Sequence, residues 1–340
     1  MRSKLLYLGL SCFFIVSIIL AVSLGSVKVP IGTTYQIINH HLFNIYDSSN
    51  WTVVQDNIIW QLRLPRVLMG AVIGATLSVS GVCMQALTRN QLAEPFVLGV
   101  SSGASVFATL GIIFGIFNWL GVYALPFSAF LGAFVSFTFV YFLSYSQRRI
   151  NIAYLLLTGV VISMICDALT KAITLSAPNA LGLHNVEFWM AGSLASVKWD
   201  YLGMPVIIIA LSLLYLMVNY KKLNLLLFGE ETAMNLGVNV KSFQKILVIV
   251  ASLLTGVSVA ISGTIGFVGL ICPHFARLLV GSDHKRVLVV SAILGSILVI
   301  WADVMARLII APEELPLGIL TAILGGPFFI FFLKTNRKVR

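Results

Sequence analysis

The feature that most restricts this chain is a succession of about ten apolar runs, most of them near the 20 or so residues that an α-helix needs to cross bilayer hydrocarbon. They extend approximately from Leu5 to Val27, Leu64 to Leu87, Phe96 to Gly115, Val122 to Tyr145, Ile152 to Leu175, Leu202 to Asn219, Phe243 to Phe267, Cys272 to Gly281, Val287 to Ile310 and Leu317 to Leu333. The eighth is short for a full crossing. With 59% hydrophobic and 10% charged residues, too little polar surface remains to clothe a soluble globule. The chain therefore reads as an all-α polytopic membrane protein, a single transmembrane domain over residues 1–340. Arg2 and Lys4 precede the first run, which is longer than the apolar core of a signal peptide and lacks a convincing A-x-A site, so it is read as a retained span.

A net charge of +10 would suit a nucleic-acid partner, yet no basic patch is interleaved with aromatics, and the cations lie between apolar runs. The excess of Lys and Arg in cytoplasmic loops accounts for them instead, and nucleic acid is not expected as a partner. An even number of spans puts both termini on one side. If that side is the cytoplasm, Arg2, Lys4, Arg89, Arg148, Arg149, Lys221, Lys222, Lys241, Lys245, Arg277, Lys285, Arg286, Lys334, Arg337, Lys338 and Arg340 are inner, 16 of the 22 basic residues. Lys28, Arg63, Arg66, Lys171, Lys198 and Arg307 fall outside or in the outer half of the membrane, with most of the acids, among them Asp47, Asp56, Asp303 and Glu314. Both termini are expected inside.

Lys221 to Gly237 is the clearest polar interruption, within a cytoplasmic segment of about residues 220–242. Glu230 to Leu236 can form about two helical turns, with Glu230 and Glu231 favoured at the N-terminal end of the dipole and Gly237 as the stop. A capped helix between two long spans is a candidate contact point; a solvated loop is the plainer alternative. Gly74 to Gly81 and Gly256 to Gly263 share small and β-branched residues at matching places on spans that would run in opposite directions. That pattern suggests an inverted repeat of two five-helix halves with a pathway between them, although one short match is slender support. Gly70-x-x-x-Gly74 and Gly111-x-x-x-Gly115 suit close helix packing.

Marks of catalysis are missing from the sequence. There is no H-E-x-x-H, G-x-S-x-G or P-loop, and His40, His41, His184, His274 and His284 have no Cys or carboxylate at metal-ligand spacing. Cys12, Cys83, Cys166 and Cys272 stand singly in apolar segments and read as small buried hydrophobes. Neither an enzyme nor a resident metal is expected. Asp167 alone lies well within a span, and Lys171 follows on the same face, where the two can neutralise each other as a structural ion pair. An ion-coupled secondary carrier is the alternative such a pair leaves open, as a proton relay. Otherwise the energy for transport enters from another subunit. Arg63-Leu-Pro-Arg66 opens the second span, with Pro65 in a first turn that needs no backbone donor, and Arg307 closes the ninth. Such arginines can snorkel to lipid headgroups, or hold carboxylates of a partner in a planar fork.

Arg63-Leu-Pro-Arg66, Asn90-Gln-Leu-Ala-Glu-Pro95 with Leu98-Gly-Val-Ser-Ser-Gly103, Phe188-Trp-Met-Ala-Gly-Ser193, Gly266-Phe-Val-Gly-Leu-Ile-Cys-Pro-His274 with Arg277, and Glu314-Leu-Pro-Leu-Gly318 together resemble the iron-siderophore and vitamin B12 family of ABC-importer permeases, the FecCD/BtuC-like group. The resemblance runs from about residue 60 to the C-terminus. It implies a type II importer permease fold of ten spans in a bacterial cytoplasmic membrane, paired with a second permease, for which a paralogue is preferred over an identical copy. Two ABC ATPase subunits would bind inside and carry the ATP and Mg, this chain having no cofactor of its own; an extracytoplasmic binding protein would deliver the substrate. A ferric siderophore is the expected cargo, with cobalamin or haem as alternatives. By the same resemblance Arg63, Arg66 and Arg307 match the arginines that dock glutamates of the binding protein, and Gly229, Glu230, Glu231, Thr232, Ala233, Met234, Asn235, Leu236 and Gly237 match the coupling helix seated in the ATPase. Glu231, Ala233 and Gly237 keep the E-x-A-x-x-x-G spacing of the wider importers, while Thr232 departs from it and the downstream I-x-L-P is absent. Substrate-binding residues are not legible.

Overall fold

The computed structural model describes residues 2–45, 50–146, 149–177 and 180–337; of the charges assigned to sides above, Asp47, Arg148, Lys338 and Arg340 lie outside these. In chain order the helices are α1 (Arg2–Ser23), α2 (Ile31–Phe43), α3 (Val53–Asp56), α4 (Leu64–Thr88), α5 (Val100–Phe114), α6 (Ala124–Ser144), α7 (Ile152–Leu175), α8 (Ala180–Met190), α9 (Gly203–Val218), α10 (Tyr220–Leu226), α11 (Glu230–Asn235), α12 (Val240–Ser262), α13 (Val268–Val280), α14 (His284–Leu308) and α15 (Leu317–Arg337). Extended structure among the described residues is limited to the pairing of Tyr145–Ser146 with Arg149–Ile150.

Among the described residues seven helical stretches are long and apolar enough to cross a membrane: Leu5–Ser23, Val53–Thr88, Asn118–Ser144, Ile152–Leu175, Trp199–Val218, Val240–Ser262 and His284–Leu308. Val100–Phe114, Val268–Val280 and Leu317–Pro327 are apolar but shorter. Two of these are short for local reasons. The run expected from Phe96 becomes regular helix only at Val100, because Pro95 opens a 3-10 turn that Gly99 closes in the left-handed region at φ 73°. Phe267, also left-handed at φ 66°, separates the end of α12 from α13, and Glu94 covers the break by accepting a 2.7 Å hydrogen bond from its N–H. Burial pushes the Glu94 carboxyl above the ordinary carboxylate range, and that N–H partly offsets the rise.

The second span differs from expectation at its start. Pro65 sits inside a helix that is continuous from Val53, not in an opening turn, and the missing donor is absorbed by a π-helical segment, Asn57–Arg63, in which Leu64 N–H bonds Ile59 C=O. Arg63, which ends this segment, and Arg66, just past Pro65, are both buried.

α4 is the axis of the fold. It packs against α12, α13 and α14, and 83% of its most apolar window is buried, against 17% for α7 at the periphery. Small residues permit this: a Cβ on Gly74 would overlap the Gly295 carbonyl, so α4 and α14 meet backbone to backbone, as the Gly70-x-x-x-Gly74 spacing implies. Ser80 Oγ and Thr255 Oγ1, 2.8 Å apart, join α4 to α12. The peripheral place of α7 corrects one expectation. Asp167 and Lys171 are both exposed, and no ion pair forms between them, since no neighbouring helix confines the two side chains. It corrects another as well: Cys83 and Cys272 are buried, but Cys166 on α7 is only partly so and Cys12 on α1 is exposed.

Candidate docking surfaces

Arg63, Arg66 and Arg307 converge at one end of α4 and α14, on the walls of a cavity of about 230 Å³ that Gly25, Leu62 and Glu314 help to line. All three are buried, at 6%, 8% and 5% exposure. Their donors are engaged within the chain. Arg66 Nε and Nη2 hold Asp303 Oδ1 at 2.9 and 2.8 Å, and its Nη1 holds Glu314 Oε1 at 2.9 Å. Arg307 Nε lies 3.1 Å from Asp303 Oδ2, one helical turn away, so one carboxylate serves two guanidiniums. The remaining donors close the end of α1, whose last carbonyls have no partner within the helix. Arg63 donates to Val22 and Ser23 at 3.3 and 2.9 Å and to Val27, while Arg307 donates to Ala21 and Leu24 at 3.1 and 3.0 Å. Two cations at a helix C-terminus also meet the negative end of its dipole.

The sequence reading put these three arginines together but missed what they hold. Asp303, counted with the outer acids, is deeply buried at 2% exposure, whereas Asp167 stands at the surface. The Asp303–Arg307 spacing of four on one helix was the available signal.

At the other end of α4 lies the polar stretch. Its first half is more ordered than a loop: α10 buries Leu223 and Leu226, and Lys222 sits 5.7 Å over the Phe243 ring. Gly229 then takes φ 105°, which other residues strain to adopt, and turns the chain into α11. α11 ends at Asn235, one residue before the expected Leu236, and Gly237 at φ 84° reverses the chain. Ala233 points inward, fully buried, and Glu230 Oε1 accepts from Gln244 Nε2 at 3.0 Å. Glu231, Thr232, Met234 and Asn235 are exposed. Arg89, just past α4, faces Gly229 and with Glu230, Glu231, Thr232 and Met234 bounds a recess of about 480 Å³. A 25-residue helix rises about 37 Å, so α4 separates the recess from the arginine cavity by roughly a membrane thickness.

A third polar group, absent from the sequence reading, joins α10 to α14. Asn224 Oδ1 accepts from the His284 N–H at 2.9 Å and from its ring Nδ1 at 2.7 Å, and Asn224 Nδ2 donates to Asp283 Oδ1 at 2.8 Å. That bond is the leading reason the Asp283 carboxyl titrates below its ordinary range. Among the described residues no group of three His, Cys, Asp or Glu side chains is arranged to hold a metal ion.

Residues 13–335 match the pattern of the FecCD transport family. Among curated relatives, the hemin transport system permease protein HmuU of Yersinia pestis is 37% identical across 85% of this chain and 88% of its own length. The vitamin B12 import system permease protein BtuC of Citrobacter koseri is 39% identical across 82% and 84%. The iron(3+)-hydroxamate import system permease protein FhuB of Bacillus subtilis is 34% identical across 96% and 82%. A solved structure assigned to the metal-chelate type of ABC transporter, in an inward-facing conformation, superposes with a TM-score of 0.84 at 30% identity over 98% of this chain and 99% of that one.

Proposed function

Because this chain belongs to the FecCD transport family and is an ABC-importer permease, we propose that it forms the membrane-spanning part of an ATP-driven importer for a metal chelate, a ferric siderophore before haem or cobalamin. Residues 1–340 act as one permease domain in a bacterial cytoplasmic membrane, the seven long and three shorter apolar helices making ten passes with both termini inside. α4 and α12 are counterparts in two inverted halves. The permease pairs with a second one, a paralogue, and the ATP and Mg reside on two ATPase subunits.

The observation that carries this reading is the exposed α11 at the end of the fold opposite the arginine cavity. Ala233 and Glu230 help to seat this helix, and Glu231, Thr232, Met234 and Asn235 form an exposed face for a cleft in an ATPase, so that closure of two ATPases would move it as a unit. At the outer end the arginines receive the binding protein. Glu314, at 32% side-chain exposure the accessible member of the cluster, marks where a partner's glutamate would compete for Arg66.

Proteoliposomes holding the purified permease with its co-purifying ATPases, ATP inside and a ferric hydroxamate, haem or cobalamin with binding protein outside, test the reading. Uptake that needs ATP and survives collapse of the proton gradient is the expected result. Uptake driven by the gradient without ATP would establish an ion-coupled carrier instead.

A further inference from the structure

The two surfaces are the ends of the same two helices. α4 starts beside the arginine cavity and ends at Arg89, which faces Gly229; α14 starts at His284, bonded to α10, and reaches Asp303 and Arg307 at the cavity. Between these ends the pair is fastened at three levels. Arg66 and Asp303 clasp the outer end at 2.8 Å, Ser296 Oγ donates to Ala71 C=O at 2.7 Å midway, and Gly74 and Gly295 bring the backbones into contact below. At the inner end α13 is tied in as well, Arg277 Nη2 donating to Gln85 Oε1 of α4 at 2.6 Å. Backbone contact leaves no side chains to slide, so relative motion of α4 and α14 is costlier than moving both together.

The coupling segment is joined to this pair by a geometry that only a side-chain amide satisfies. Asn224 Oδ1 accepts two hydrogen bonds from His284, which fixes the ring proton on Nδ1, and Nδ2 donates a hydrogen bond to Asp283. Asp283 in turn caps α14, accepting from the Lys285 N–H at 3.2 Å. His284 is 1% exposed, so the link is sheltered from water. α10 continues into α11 through three residues, and the buried Leu223 and Leu226 seat it on the bundle.

Resting on the importer reading above, we propose that α4 and α14 act as one strut between the outer cavity and the ATPase surface, and that Asn224 is the positioning residue through which α10–α11 drives it. A helix moved by an ATPase would pull on the α14 N-terminus through three hydrogen bonds and displace the Arg66–Asp303 clasp at the other end. Without them only the apolar seat of Leu223 and Leu226 would tie α10 to the bundle, and less of the pull would reach α14.

The test uses the full complex in nanodiscs, with the chain's four cysteines replaced and Ala195→Cys, on the cavity wall, carrying an environment-sensitive fluorophore. ATP with vanadate is added, and both the emission change and the trapped nucleotide are measured. In Asn224→Ala the emission change per trapped nucleotide falls by about fivefold or more, the low end of ordinary coupling energies. Asn224→Asp alone sets two carboxylates face to face and fails similarly. Asn224→Asp with Asp283→Asn exchanges donor and acceptor between the two positions, keeps the acceptor for His284, restores the bond between residues 224 and 283, and recovers the signal. An undiminished signal in Asn224→Ala, no recovery in the exchanged pair, or loss of trapping in step with emission would each overturn the strut. A parent complex that traps no nucleotide would instead overturn the importer reading beneath it.

Discussion

At the arginine end, outer in the proposed orientation, three guanidiniums are drawn into the protein, where every one of them already holds a carboxylate or a helix-terminal carbonyl of the same chain. At the inner end α11 keeps one buried residue and one side-chain bond for itself and leaves Glu231, Thr232, Met234 and Asn235 to solvent. Both are docking surfaces in the proposed function, yet substitution should act on them in opposite ways. In that proposal the arginines hold the fold and dock by exchange of partners, whereas the exposed face of α11 docks without supporting the fold.

The largest effect that separates them is expected for Asp303→Ala. Removal of this carboxylate leaves Arg66 and Arg307 buried with one shared counter-charge fewer, and breaking a buried pair on one side costs about 3–5 kcal/mol. Thermal unfolding of the purified chain in detergent should show that loss before any partner is added. If the variant unfolds like its parent, the outer cluster is not structural and the contrast between the two ends disappears.

Next in size is Glu231→Arg combined with Met234→Trp. Both side chains lie on the exposed surface, so stability should shift by no more than about 0.5 kcal/mol, as for ordinary surface changes. Coupled uptake in proteoliposomes should nevertheless drop by about tenfold while hydrolysis continues, within the usual range of coupling energies. Normal uptake would mean that α11 is not a contact. A parallel fall in melting temperature would mean that it supports the fold after all.

What could be read without coordinates follows the range of the interactions involved. Most of the apolar runs, and α11 with its stop at Gly237, depend on residues within a few turns, and these were legible to within a few residues at each end. Arg63, Arg66 and Arg307 were named together, but their partners lie far along the chain: Arg66 meets Glu314 across 248 positions, and Arg307 meets Ala21 across 286. No local pattern encodes such pairs. Asp167 misled for the same reason, because the depth of a residue within a span says nothing about whether its helix is central or peripheral. The π-turn before Leu64 and the Asn224–His284 link were likewise invisible, one arising from how Pro65 is accommodated in a longer helix and the other from a contact across 60 residues.

The smallest effect is the most discriminating for the outer surface. Glu314 contributes one 2.9 Å bond to buried Arg66 and has a third of its own side chain in solvent, so Glu314→Ala should lower stability by about 1–2 kcal/mol, between the ranges of exposed and buried pairs. It also frees Arg66 Nη1, on the cavity wall, while Asp303 continues to orient the guanidinium through Nε and Nη2. A glutamate from a binding protein would then meet a positioned donor without displacing an internal competitor. Affinity for the binding protein, measured by surface plasmon resonance on nanodisc complexes, should therefore rise in Glu314→Ala, whereas Arg66→Ala should lose both affinity and stability. Weaker docking in Glu314→Ala would mean that the acid itself faces the partner, and the arginines would be left with the fold alone.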